Sequence, residues 1–189
     1  MASTTLETPR LILRTIIPDD RDAIVSILSD KVAMQHMLRY KLWDVEQRQG
    51  WVDTALEIAE QSEPDGIAWV IERKDTGETI GWFGISNPTN PANAYNVNFE
   101  YALGRPHWNQ GYMTEVLRNI FAYEFNTLGV PQLSANCHPS NIGSSRVMEK
   151  VGMRYTHFDR GPDMDGNWQE QNHYLITRDE WNILKNEVS

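Results

Sequence analysis

Hydrophobic positions change their period several times along this chain, and each change marks an element. Leu11, Ile12 and Leu13, between Arg10 and Arg14, make a short apolar run that predicts a first strand. After Pro18-Asp19-Asp20, the apolar residues Ala23, Ile24, Ile27 and Leu28 recur at helical spacing and predict a helix. Asp44 and Gln47 read as a capping box opening a second helix, with Trp51, Ala55, Ile58 and Ala59 as its stripe and Pro64-Asp65-Gly66 as its stop. Strands follow, Ile67 to Arg73 and Glu78 to Ile85, joined by a turn at Asp75-Thr76-Gly77, and then a loop at Asn87-Pro88-Thr89-Asn90-Pro91. From Asn96 to Leu103 the period is two: Val97, Phe99, Tyr101 and Leu103 alternate with Asn96, Asn98, Glu100 and Ala102.

Helical spacing returns with Leu117, Ile120, Phe121, Phe125 and Leu128, and Gly129 with Pro131 stops it. A strand at Gln132 to Asn136 precedes another capped helix, opened by Ser140 or Asn141 and closed by Gly152. Met153 to Phe158 and Gln169 to Ile176 read as strands joined through Gly161 to Asn167, and Arg178 to Lys185 adds a short terminal helix. The order of strand, two helices, three strands, helix, strand, helix and two strands predicts an α/β fold with a mixed sheet.

At 189 residues, with 40% hydrophobic and 23% charged, residues 1–189 are expected to form a single domain with one well-buried core. No apolar run nears the roughly 20 residues of a membrane-spanning helix. Met1 to Glu7 has neither the basic nor the apolar region of a signal peptide, so a cytoplasmic location and no membrane partner are expected. A net charge of -9 argues against nucleic acid as a partner and would draw in a cationic amine, although it also serves plain solubility. The single cysteine, Cys137, excludes an intrachain disulfide. His36, His107, His138, His157 and His173 show no paired ligand spacing, so no metal is expected.

Chemistry concentrates at Trp108-Asn109-Gln110-Gly111-Tyr112-Met113-Thr114, where a strand ends and a helix opens. The first N–H groups of a helix lack intrahelical partners and lie at the positive end of its dipole, so such a turn suits phosphate oxygens, and a glycine lets the backbone come close. Neither Gly-x-Gly-x-x-Gly after an early strand nor Gly-Lys-Ser/Thr is present, which removes the usual dinucleotide and phosphate-loop readings. The second segment is Asn141-Ile142-Gly143-Ser144-Ser145, running on to Lys150-Val151-Gly152-Met153.

Together these segments resemble the Gcn5-related N-acetyltransferase (GNAT) family. Its acyl-CoA loop follows Gln/Arg-x-x-Gly-x-Gly/Ala, and its next helix begins Asn-x-x-Ser/Ala and ends Lys-x-Gly-Phe. The match is best to the ribosomal-protein-acetylating, RimJ/RimL-type branch, through Thr8-Pro9-Arg10-Leu11-Ile12-Leu13-Arg14 and Trp108-x-x-Gly111-Tyr112-Met113-Thr114-Glu115. The resemblance covers about residues 8 to 176. Trp108 and Met113 depart from the general pattern, and Met148 stands where many members carry a tyrosine, which puts a tyrosine general acid in doubt. The resemblance implies a mostly antiparallel sheet splayed between two parallel strands, here near Asn98 to Leu103 and Gln132 to Asn136, with acetyl-CoA in the opening.

On that reading the turn from Trp108 through Asn109, Gln110, Gly111, Tyr112 and Met113 to Thr114 holds the pyrophosphate. The backbone at Tyr101, Ala102 and Leu103 pairs with the pantetheine arm as an added strand. Glu100 is the leading general base, since alternation sets it with Asn98 and Ala102 away from the apolar face; its other reading is a carboxylate facing solvent or paired with an arginine. Asn141 and Ser144 match the helix-start positions, where Ser144 could help the CoA thiolate leave and both could simply cap the helix. Cys137 reads better as a small buried residue than as an acyl carrier, and His138 is a weaker proton-transfer residue than Glu100. Arg105 and Arg146 read first as surface arginines and second as phosphate contacts, and Trp43 and Trp51 as core residues or walls of an amine pocket.

The function implied is transfer of an acetyl group from acetyl-CoA to a primary amine by direct attack. A protein N-terminal α-amine leads through resemblance, and small amines, polyamines or aminoglycosides stay open. An α-amine, with a pKa of about 8 against about 10.4 for lysine, asks less of a base. The competing readings are a catalytically inactive CoA-binding sensor or interaction module and an ATP-binding protein. Exposed aromatic residues would suit a homodimer.

Overall fold

The computed structural model describes residues 5–61, 66–86, 97–162 and 168–187. The Pro64-Asp65 stop, the 87–91 loop, the start of a strand at Asn96 and the 163–167 connection lie outside the described residues. In chain order the elements are β1 (Leu6–Glu7), β2 (Leu11–Thr15), α1 (Arg21–Ser29), α2 (Leu38–Leu42), α3 (Val45–Ala59), β3 (Gly66–Arg73), β4 (Thr79–Ser86) and β5 (Val97–Leu103). There follow α4 (Tyr112–Tyr123), β6 (Gln132–Cys137), α5 (Ile142–Lys150), β7 (Arg154–Pro162), β8 (Trp168–Thr177) and α6 (Arg178–Glu187).

The strands form one eight-stranded sheet in the order β1-β2-β3-β4-β5-β6-β8-β7. All pairs are antiparallel except β5 with β6. This is the mixed, mostly antiparallel α/β architecture expected. The sequence reading misses β1 and α2, both too short to display a period. Pro18–Asp20 is a separate 3-10 turn ahead of α1, not its first turn. Gly161 pairs with Gln169 inside the β7–β8 ladder, so the last hairpin is longer than predicted.

Alternation along the strands builds two cores, one on each face of the sheet. Ile24, Ile27 and Leu28 of α1 and Val52 and Ala55 of α3 pack on Val70, Trp82 and Ala102. On the opposite face, Trp69, Ile71, Phe83 and Phe99 meet Val116, Leu117, Ile120 and Phe121 of α4. Each fully buried Leu, Ile, Val or Phe side chain among them contributes roughly 1.5–3 kcal/mol relative to exposure. The capping box forms as predicted: the Gln47 N–H donates to Asp44 Oδ1 at 2.8 Å and the Asp44 N–H to Gln47 Oε1 at 2.9 Å.

Helix α4 does not run evenly to its predicted end. Glu124–Leu128 widens into a π-helical turn before Gly129 closes it at φ 69°. Glu124 is fully buried there, and neither carboxylate oxygen has a hydrogen-bond partner among the described residues. Burial pushes its carboxyl up to about 7.

Candidate functional site

The sheet opens where its one parallel pair parts. Strands β5 and β6 pair only at Val97 with Leu133 and Asn98 with Ser134, whereas β5 stays zipped to β4 from Phe99 to Leu103. Backbone polar groups of a strand turn alternately to its two sides. The Gly104 N–H donates to Ile80 at 2.9 Å, and the Ala102 carbonyl lies against Gly81, where an added Cβ would strike it. Tyr101 and Leu103 therefore direct their N–H and C=O groups to the open side, while those of Ala102 face β4. Of the three residues expected to pair with a pantetheine arm, Tyr101 and Leu103 hold the open edge and Ala102 does not.

The predicted anion loop stands at the mouth of this opening. Arg105–His107 makes a 3-10 turn, and the Trp108 indole N–H folds back to donate to the Leu103 carbonyl at 2.8 Å. Asn109 at φ 58° and Gly111 at φ 79° both occupy the left-handed region, which turns the chain sharply into α4. Trp108, Asn109, Gln110 and Gly111 are exposed and Thr114 is half-buried, but Tyr112 and Met113 bury their side chains in the core. Those two can offer a ligand only backbone.

The N-terminal segment braces this turn. Glu115 accepts from Thr8 Oγ1 at 2.5 Å, from the Arg10 backbone N–H at 2.9 Å and from Arg10 Nε at 2.7 Å. Arg10 also donates to the Gln110 carbonyl at 3.0 Å and stacks its guanidinium 4.4 Å over the Tyr112 ring. Partial burial works to raise the Glu115 carboxyl, but the hydrogen bonds from Thr8 and Arg10 outweigh it and hold the group below the usual range. The two sequence signatures around Thr8 and Glu115 are thus the two halves of one contact.

The start of α5 faces the same opening. Asn141 caps the helix, its side chain accepting from the Ser144 N–H at 3.2 Å. Ser144 Oγ lies 2.7 Å from the Tyr101 hydroxyl, so a phenol from β5 reaches the serine expected to serve the thiolate. Burial pushes the Tyr101 hydroxyl up, despite the bond to Ser144, which keeps it protonated. Met148 is buried in the core, so the position that carries a tyrosine in many relatives is apolar here. The sequence reading treats Tyr101 only as backbone and misses its hydroxyl. Cys137 is buried against Ser145 at 3.4 Å, and burial raises its thiol, which removes thiolate character.

Glu100 projects on the other face, towards α1, α2 and α3, and accepts from the Tyr40 hydroxyl at 2.6 Å. Tyr40 is buried in an aromatic cluster, its ring centroid 4.7 Å from Trp43 and 5.6 Å from Trp82, with Trp51 5.1 Å from Trp82. The tryptophans expected either as core or as pocket walls thus hold the tyrosine that orients Glu100. No sequence signal pointed to Tyr40, because α2 itself has no visible period. Arg105 is engaged by Asp30 at 2.5 Å.

A cavity of about 770 Å³ opens between Gln35, His36 and Lys41 on one side, His138 before α5, and Arg160 and Trp168 near the β7–β8 tip. His138 Nδ1 lies 2.7 Å from Ser140 Oγ, and the His36 ring stacks on it at 5.5 Å. Elsewhere on the sheet, cross-strand register brings His157 and His173 together, a pairing that linear spacing conceals. Their rings stack at 4.3 Å and 3°, with Asp159 3.0 Å from His173 Nε2. The candidate ligand atoms of His157, Asp159 and His173 lie within 4.8 Å of one another, a grouping that the expectation of no metal, made from linear spacing, does not foresee.

Comparison with known proteins adds four findings. A match to the acetyltransferase (GNAT) domain spans residues 10–154. The uncharacterized N-acetyltransferase YoaA of Bacillus subtilis is 30% identical over 149 residues, which is 79% of this chain and 82% of that protein. A GNAT-family acetyltransferase from Bacillus anthracis superposes with a TM-score of 0.78 at 20% identity, covering 93% of this chain and 99% of its own. Mycobacterium smegmatis RimJ in complex with CoA-disulfide superposes with a TM-score of 0.74 at 24% identity, covering 94% and 88%. At these identities the solved structures speak for the fold.

Proposed function

We propose that this chain, which belongs to the GNAT acetyltransferase family, works as a single-domain cytoplasmic N-acetyltransferase whose acetyl-CoA lies along the open edge of β5. The observation that carries this reading is the parting of β5 from β6 directly in front of two helix starts. Gly111 and its neighbours fit a pyrophosphate, because the turn is exposed, left-handed at Gly111 and followed by the free N–H groups of α4. The Tyr101 N–H and C=O and the Leu103 N–H, which turn to the open side, fit a pantetheine amide chain, while the Leu103 carbonyl is taken by the Trp108 indole.

Acetyl-CoA supplies the activated acyl group. The chain's own residues align it with a neutral amine, which in favourable systems removes about 7–11 kcal/mol of barrier without a covalent enzyme intermediate. As the amine nitrogen bonds to the carbonyl carbon and the carbon–sulfur bond breaks, Glu100 takes the proton leaving nitrogen, directly or through one water. Tyr40 orients Glu100 for that role. Ser144, held by the Tyr101 hydroxyl beside it, donates a hydrogen bond to the departing sulfur, and the CoA thiolate takes up a proton from water as Glu100 returns its own to solvent. Asn141 fixes Ser144 through the cap, and no metal enters the scheme. The acceptor is a primary amine, with a protein N-terminal α-amine or a small amine as the leading forms.

The test is CoA release with acetyl-CoA and a panel of amines and peptide N-termini. Wild type is expected to release CoA only when an acceptor is present, and Glu100→Gln to slow release by about 10²–10⁴-fold, the range for loss of general base catalysis. Binding of acetyl-CoA without release for any acceptor would favour the sensor reading. Preferential binding of ATP would overturn the cofactor assignment.

A further inference from the structure

We infer that the amine acceptor carries an anionic group, a carboxylate or a phosphate, which the cavity beside α2 receives while the amine lies at Glu100. The inference rests on the acetyltransferase reading of the cleft and narrows its acceptor. Across the whole chain the net charge is -9, yet the cavity wall runs against that balance. Among the described residues its one carboxylate, Glu170, is held by Arg160. The Lys41 ammonium also lines the cavity, and no carboxylate among the described residues pairs with it. His36 and His138 set their imidazoles at the same wall, each with Nδ1 near Ser140 Oγ. Burial and the neighbouring His138 and Lys41 push the His36 imidazolium down, the response of a basic group that lacks an anion.

Position links this wall to the chemistry at both of its ends. Lys41 follows Tyr40, whose hydroxyl donates to Glu100. His138 and Ser140 lead directly into Asn141, which holds Ser144. The proposal sets the amine at Glu100 and the remainder of the acceptor along α2 towards Lys41, one residue on from Tyr40. A volume of about 770 Å³ is within the range of small-molecule sites. Trp168, 70% exposed at the rim, offers a flat apolar face to the middle of such a molecule. Polyamines and aminoglycosides, cationic throughout, would set like charge against Lys41. An amino acid, an amino phosphate or a peptide N-terminus followed by an acidic residue would not.

The experiment compares CoA release for matched acceptors with and without the anion: L-amino acids against their amides, Asp- and Glu-containing dipeptides against neutral ones, and spermidine. It uses wild type, Lys41→Gln and Lys41→Glu. Binding of the same amino acids and amides in the presence of CoA is followed by calorimetry. Wild type should favour the anionic member of each pair by about 10-fold or more in kcat/KM, the scale of one charge-assisted contact of 1.5–3 kcal/mol. Lys41→Gln should erase the preference through KM, and Lys41→Glu should reverse it, while acetyl-CoA affinity holds. The amino-acid and dipeptide arms separate a free metabolite from a peptide N-terminus. Turnover with no preference for the anion, or a preference that Lys41→Glu leaves intact, overturns this inference and spares the acetyltransferase reading. Lys41-dependent binding of the acids with no CoA release does the reverse.

Discussion

The two ends of α4 bury glutamates in opposite ways. Glu115, in the first turn, accepts from Thr8 and from both backbone and side chain of Arg10, and its carboxyl is held low. Glu124, just past the last turn, is more deeply buried, has no hydrogen-bond partner among the described residues and is pushed up to about 7. A carboxylate with a full set of donors ties the Thr8–Arg10 segment to the start of α4 at the mouth of the cleft. A carboxylate with none only raises the free energy of the fold whenever it ionises. The difference locates where this molecule has invested its polar contacts, at the end of the helix beside the opening in the sheet.

Neutralising Glu124 gives the largest effect expected from that contrast. Its folded pKa exceeds its unfolded value, so stability is fully present below the unfolded value near 4.5 and is lost as pH rises through about 7. The shift to about 7 corresponds to about 3 kcal/mol above that pH. Glu124→Gln should therefore melt higher than wild type at pH 8, with the gap closing towards pH 5. Melting curves across that range check it, and an unchanged or lower melting temperature at pH 8 would remove the contrast.

Glu115→Gln tests the other end. Loss of the charge-assisted bonds from Thr8 and Arg10 should lower stability by about 2 kcal/mol at neutral pH. The Glu115 pKa is held low in the fold, so wild type should lose this advantage as pH falls through that depressed value. The variant should also bind acetyl-CoA less tightly, because Arg10 no longer steadies the Gln110 carbonyl. Denaturant titration and calorimetry read the two effects separately. The smallest effect belongs to Asn141→Ala, which removes the cap of α5 at about 1 kcal/mol and should lower kcat more than acetyl-CoA affinity, through Ser144.

The same contrast explains what could be read in the sequence. The α4 turn was legible because its needs are local: alternation through β5, a glycine where φ is positive, and an apolar stripe behind it. The capping box at Asp44 and Gln47 and most strands were legible for the same reason. The Thr8–Arg10–Glu115 contact was visible only as two separate signatures, since nothing in linear spacing says that they touch. Tyr40 and Lys41 were invisible, because α2 spans a single turn or so and carries no period. The Tyr101–Ser144 hydroxyl pair and the His157–His173 stack depend on the register of strands distant in sequence, which periodicity does not reach. Met148 pointed to a missing phenol at one position, and the fold brings a phenol in from another.

The central claim is that acetyl-CoA is held between the open edge of β5 and the left-handed turn at Gly111. Calorimetric titration of acetyl-CoA into wild type and Gly111→Trp tests it most directly. A side chain at φ 79° strains the turn by about 1–3 kcal/mol and the indole fills the anion's approach, so affinity should fall by about 30-fold or more. Ligand-free melting of the variant separates that loss from global unfolding. Binding of equal strength in a folded Gly111→Trp would contradict the account.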